Sequence, residues 1–138
     1  MNWIENHRNA CMVALIILLE VIPHSHHRYD TVGDWRWNNN TLTISVSREA
    51  GLKNPDYVTL VFVHEAIEAI LCRHDHVSGA SVDRFDMNFK GAGEPGDDPK
   101  APYHRQHEVA MKVEHEVAAA LGVDWAAYEK ALEAVPQK

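Results

Sequence analysis

The segment from Asp56 to Arg73 sets the strongest limit on how this chain can fold. Val58, Leu60, Val61, Phe62, Val63, Ala66, Ile67, Ala69, Ile70, Leu71 and Cys72 make it apolar on nearly every side of a helix. A helix of that composition belongs at the centre of a domain. Asn54 ahead of it can cap the first turn, and Pro55 suits the first helical positions.

Three polar side chains interrupt this helix: His64, Glu65 and Glu68. Residues four apart lie about 40° apart around a helix axis, so His64 and Glu68 point the same way. Glu65 is turned from them by about 100°. An ionised carboxylate inside an apolar helix is costly unless it is paired or bound to a metal. Zinc accepts one imidazole and one carboxylate at this spacing and needs a third ligand from elsewhere. Glu65 then stands beside the ion as a base for water. The plainer alternative is a solvated stripe, or a pairing of Glu68 with Arg73 or Arg84.

A second helix, from about Pro102 to Leu121, offers the missing ligand. Val109, Ala110, Met111, Val113, Val117, Ala118 and Leu121 define its apolar arc. Projected at about 100° per residue, His107 and Glu114 fall inside that arc, whereas His104, Glu108 and His115 fall outside it. His107 is the first candidate for third ligand, ahead of His104 and His115. Glu114 is either a fourth ligand or an acceptor that orients a ligating histidine. Taken on its own helix, His107 reads equally well as a core histidine.

The remaining chain is organised around these helices. The apolar stretch Cys11 to Ile22 reads as a buried strand starting near Met12; at 12 residues, interrupted by Glu20, it is too short to span a membrane. Residues 1–11 read as a loosely attached extension. Trp35-Arg36-Trp37, Asn38-Asn39-Asn40 and Thr41 to Ser47 read as a hairpin, with the asparagines supplying the turn. A short helix covers about Val82 to Phe89, and Gly91 to Pro102 is an irregular loop. Gly122 ends the His107 helix, and Asp124 caps a last helix carrying Trp125, Tyr128 and Leu132. Strands first and helices later predict an α+β fold: a small antiparallel sheet, made of the N-terminal strand and the hairpin, packed on about four helices. At 138 residues this is one domain, 1–138.

Other polar residues take quieter readings. His24, His26 and His27 follow Pro23 in a loop and read as solvated, with lining a cleft as the alternative. His74-Asp75 and His76 have the look of a metal-binding HD pair without its distal partners. Asp83 and Asp86 read as capping or surface groups, and Glu94 to Pro99 as a solvated loop, with a lid or a wall beside the site as the alternative. A formal charge of −7 argues against a nucleic-acid backbone or an anionic membrane as partner. Cys11 and Cys72 make no disulfide framework and suit a cytoplasmic protein, with Cys72 in the core.

His64-Glu65-x-x-Glu68 on a buried helix after a hairpin resembles the zincin HExxH helix. The resemblance implies that His64 is a ligand, that Glu65 is the catalytic base, and that Glu68 replaces the second histidine. A carboxylate there blunts the Lewis acidity of zinc and makes manganese, iron or magnesium more competitive. The chain also resembles a group of small bacteriophage and prophage proteins. That likeness is carried by Ile22-Pro23-His24, Thr31-Val32-Gly33-Asp34-Trp35, His64-Glu65, Pro95-Gly96-Asp97-Asp98-Pro99 and Leu121-Gly122-Val123-Asp124-Trp125.

The expectation is a metal-dependent, zincin-like hydrolase acting on a peptide or another small molecule, with zinc on His64, Glu68 and His107. One alternative is a magnesium-dependent nucleotide pyrophosphatase using Glu65/Glu68 and Asp83/Asp86. The other is a non-catalytic phage-type protein that binds a host protein, with the His/Glu cluster as a structural metal site or a polar core network.

Overall fold

A computed structural model describes residues 14–138. The expected extension, 1–11, lies outside the described residues. The first strand, β1 (Ile16–Ile22), leads through a 3-10 turn (His24–His26) to β2 (Gly33–Asn38) and β3 (Thr41–Ser47). Four helices follow: α1 (Asp56–His74), α2 (Gly79–Asn88), α3 (His104–Ala120) and α4 (Trp125–Glu133). The architecture is α+β.

The hairpin forms as its alternation predicts. Asn39 takes a φ of 51° at the turn, a left-handed conformation that asparagine tolerates, and Trp35 pairs with Ile44. The sheet is mixed rather than antiparallel, however. β1 runs parallel to β3, and the strand order β1-β3-β2 makes β3 the central strand. The chain between β1 and β2 crosses from one edge of the sheet to the other, so a return by hairpin is not open to β1.

Leu42, Ile44 and Val46 on β3 are fully buried, and α1 lies on this side across β3 and β2. α3 packs along α1. The α1 start is pinned by Asn54, whose Oδ1 accepts from the Asp56 N–H at 3.0 Å. α3 ends in a left-handed Gly122 (φ 68°), with the Val123 N–H returning to Ala118 O at 2.9 Å. Asp124 Oδ1 caps α4 by accepting from the Ala127 N–H at 2.8 Å. Cys72 is buried in the core, and burial pushes its thiol up to about 12.

The expectation of a buried first strand is overturned. α1 stops short of β1, so Ile16 to Leu19 and Val21 are between 41% and 51% exposed. An apolar run predicts that something covers it, not what does. Among the described residues no helix is long and apolar enough to cross a membrane.

Candidate metal centre

α1 and α3 lie side by side so that His64, Glu68 and His107 meet between them, each at least 93% buried. His64 Nε2 lies 3.3 Å from Glu68 Oε2 and 3.2 Å from His107 Nδ1, and His107 Nδ1 lies 3.1 Å from Glu68 Oε2. The three donor atoms therefore form a nearly equilateral triangle. Donors about 2.0–2.1 Å from a tetrahedral zinc sit about 3.3–3.4 Å apart, so the triangle has the size of one face of that tetrahedron.

The outer hydrogen bonds say which way the lone pairs point. Glu114 Oε2 accepts from His64 Nδ1–H at 2.9 Å, which leaves Nε2 bare in the neutral ring. Asp97 Oδ1 accepts from His107 Nε2–H at 3.1 Å, which leaves Nδ1 bare. Trp35 Nε1–H donates to Glu68 Oε1 at 2.9 Å, turning Oε2 toward the imidazoles. Three lone pairs thus converge where only a cation can relieve their repulsion, and a proton or a metal ion qualifies. Each ligand-type side chain has an outer partner that fixes its orientation, as metal sites require.

The electrostatics agree. Burial alone would lower the His64 pKa, but the hydrogen bonds to Glu114 and Glu68 outweigh it and raise the pKa well above the ordinary imidazole value. His107 is raised against the same burial by Glu68. For Glu68 the hydrogen bonds from His107 and His64 overcome burial and hold the carboxyl below its usual range. The metal-free cluster is therefore a proton-holding site.

Glu65 faces a cavity of about 270 Å³ that opens beside the cluster. It lies against β2 at Gly33, where a Cβ would come within 2.7 Å of Glu65 Oε1. Burial, then the charge of Glu68, raises the Glu65 carboxyl well above its ordinary value.

Glu114 stands outside the triangle, on the far side of His64, and Tyr128 OH on α4 donates to its Oε1 at 2.5 Å. His104 donates Nδ1–H to Gly96 O at 2.8 Å, and the exposed His115 stacks on Trp125. Neither reaches the triangle. Glu68 pairs with neither alternative arginine: Arg73 bonds Asn39 O and lies over the Trp37 ring. The loop after Gly91 folds a 3-10 turn (Pro95–Asp97) onto His107 and walls the site.

Two readings of the outlying groups need correction. His24 and His27 are buried, not solvated: His24 Nδ1 lies 2.8 Å and His27 Nε2 3.0 Å from Ser47 Oγ, while His24 Nε2 lies 2.8 Å from Asp30. Only His26 of the three is exposed. Asp83 and Asp86 are not plain surface groups either. Asp83 pairs with Arg28 at 2.9 Å, and Asp86 accepts from Tyr103 OH at 2.5 Å and from Tyr29 OH at 3.3 Å. Burial, opposed by the Tyr103 bond, brings the Asp86 carboxyl to about 6.

Trp35, Asp97 and Tyr128 were not singled out by sequence reasoning, although a buried indole or phenol that must find an acceptor is a usable signal. Tyr128→Phe leaves Glu114 Oε1 without its donor inside the protein. Glu114 is itself the outer partner of His64, so Tyr128 acts one bond further out, and we expect the affinity for added zinc to fall by no more than the roughly tenfold lower end for losing such a partner. Competition with a chromogenic chelator measures it. Comparison with protein-family models, with curated proteins and with solved structures found no match.

Proposed function

We propose that this chain is a metal-dependent hydrolase of zincin-like type, with His64, Glu68 and His107 as ligands and Glu65 as general base. The observation that carries the proposal is the triangle of ligand-type atoms, 3.1–3.3 Å on a side, on three side chains each held by an outer hydrogen bond. Zinc fits the donor set best; the carboxylate keeps manganese, iron and magnesium in competition. A divalent ion supplies Lewis acidity and lowers the pKa of bound water to about 7 in favourable sites. Glu65, its carboxyl raised by burial and by the charge of Glu68, would take the proton of that water and return it to the leaving group.

Three converging donors beside an open cavity favour a catalytic site over a structural one, which fills four positions with protein ligands. This weighs against the phage-type protein that holds a structural metal and binds a host factor. The cavity lining includes Asp34, Glu65, Asp83, Asp86 and Glu94 and no lysine or arginine. That favours a peptide or amide substrate over a polyphosphate bound directly by the protein, while the nucleotide pyrophosphatase reading needs Asp83 and Asp86 free to hold magnesium. Both are already engaged, by Arg28 and by two tyrosines. Cys72, a free buried thiol, supports a cytoplasmic setting.

Elemental analysis of protein purified without chelator tests the proposal, with a His64→Ala comparison. We expect close to one zinc per chain, and a variant stripped of metal on dialysis. Structural zinc binding of about 10–16 kcal/mol shared over four ligands is roughly 3 kcal/mol per ligand, so one lost ligand costs about a hundredfold in affinity. Metal-free protein in both cases would sink the proposal.

Acid should act in a definite direction. The folded pKa values of His64 and His107 lie above 6.5. Their contribution to the stability of metal-free protein is therefore complete below pH 6.5 and is lost as pH rises through the folded values. Zinc must displace those protons, so its affinity rises with pH across the same window, by roughly tenfold per unit for each proton displaced. A pH series of chelator competitions from 6 upward checks both sign and slope.

A further inference from the structure

β1 has the composition of a strand covered on both faces, yet no described residue covers it. In its parallel register Ile17, Leu19 and Val21 sit beside Leu42, Ile44 and Val46, so they prolong the buried layer beneath α1. They are nonetheless 41%, 43% and 46% exposed. Ile16 and Leu18 are about half exposed on the opposite face. The Ile16 N–H goes to Asn40 O at 3.0 Å, on the β3 side. Alternation along the strand then turns the N–H and C=O of Ile17, Leu19 and Val21 outward, to the free edge. Soluble proteins blunt such edges with charge, proline or a bulge. Here the one charged residue, Glu20, is turned back to Ser45 Oγ at 2.5 Å and to Arg36.

We propose that this edge is the interface of a homodimer, in which β1 pairs antiparallel with β1 of a second copy about a twofold axis at Leu19. The register follows from the outward groups. Ile17 faces Val21 of the second copy, Leu19 faces Leu19, and Val21 faces Ile17, so every outward N–H meets an outward C=O. A twofold normal to the sheet keeps each face on its own side, so the two apolar layers beneath the α1 helices join into one. Glu20 falls opposite Leu18, which keeps the two glutamates from facing each other.

The area is of the right order. Leu15 to Leu19 and Val21 together expose roughly 500 Å² of apolar surface, at the upper end of what a lone monomer shows. That is a ceiling on what these side chains can bury, and with the strand backbone and its flanks it reaches the low end of specific interfaces, about 600 Å² per partner. A second copy supplies both needs at once: three outward backbone pairs in the same spacing, and an apolar layer at the same height in the sheet. The result is a continuous six-stranded sheet.

Sedimentation velocity of the full chain across about 1–100 µM tests this. We expect a monomer–dimer equilibrium with its midpoint at roughly micromolar concentration, and a monomer throughout for Leu19→Lys. Because that substitution can also disturb folding, its circular dichroism must match the parent chain. Hydrogen exchange of the unaltered protein supplies an independent reading: the amides of Ile17, Leu19 and Val21 should become at least tenfold more protected as concentration rises. A parent chain monomeric at 100 µM, or exchange of those amides that ignores concentration, overturns the proposal.

Discussion

Gly96→Ala is expected to lower zinc affinity by about a hundredfold while leaving the fold intact. Gly96 is buried in the turn that lies across His107, and a Cβ there would stand 2.5 Å from His107 Nδ1, the donor atom itself. Contacts that short force something to move. The turn is held independently of that ring, because His104 donates to Gly96 O and the Asp97 and Asp98 N–H groups close back on Glu94 O and Pro95 O. The imidazole is the part left to give, and a displaced ligand costs about what a deleted one does, roughly 3 kcal/mol. Overpacking adds about 1–3 kcal/mol of destabilisation, visible in thermal unfolding. Gly79→Ala is the control: its Cβ meets only Trp35 Cζ3 at 3.6 Å, an ordinary contact. If both variants bind zinc as the parent does, His107 is not a ligand.

Glu65→Gln separates binding from catalysis. The amide keeps the shape of the side chain against Gly33 but cannot accept a proton. Zinc content should stay at the parent level. For any peptide or amide in a fluorogenic panel that the zinc-loaded protein hydrolyses, turnover should fall about 10²–10⁴-fold, the usual share of a general base. A variant that keeps its turnover would remove Glu65 from the mechanism and leave the metal ligands untouched.

The helical part of this molecule was legible because helices carry a period. His64 and Glu68 share a face by spacing alone, and the apolar arc of α3 chose His107 over His104 and His115. Glu114 was legible as an inward residue, though spacing could not say whether it faced an ion or a histidine. Asp97 and Gly96 lie in a loop with no period, where only the fold brings them to His107. His24 and His27 were misjudged because a polar loop reads as wet. Ser47 lies on the face of β3 away from α1, and the loop tucks both rings against it. β1 was misread for the opposite reason. Apolar runs record that burial occurs, while parallel pairing and the reach of α1 are tertiary facts.

The His64–His107 contact joins residues 43 positions apart in the chain. An ion held between them would act on the unfolded ensemble as a covalent staple does. Closing a loop of that length removes conformational freedom worth about 4 kcal/mol by the loop-entropy relation for cross-links. In a chain with two cysteines, such a clasp is the reversible counterpart of a disulfide, opened by a chelator rather than by a reductant.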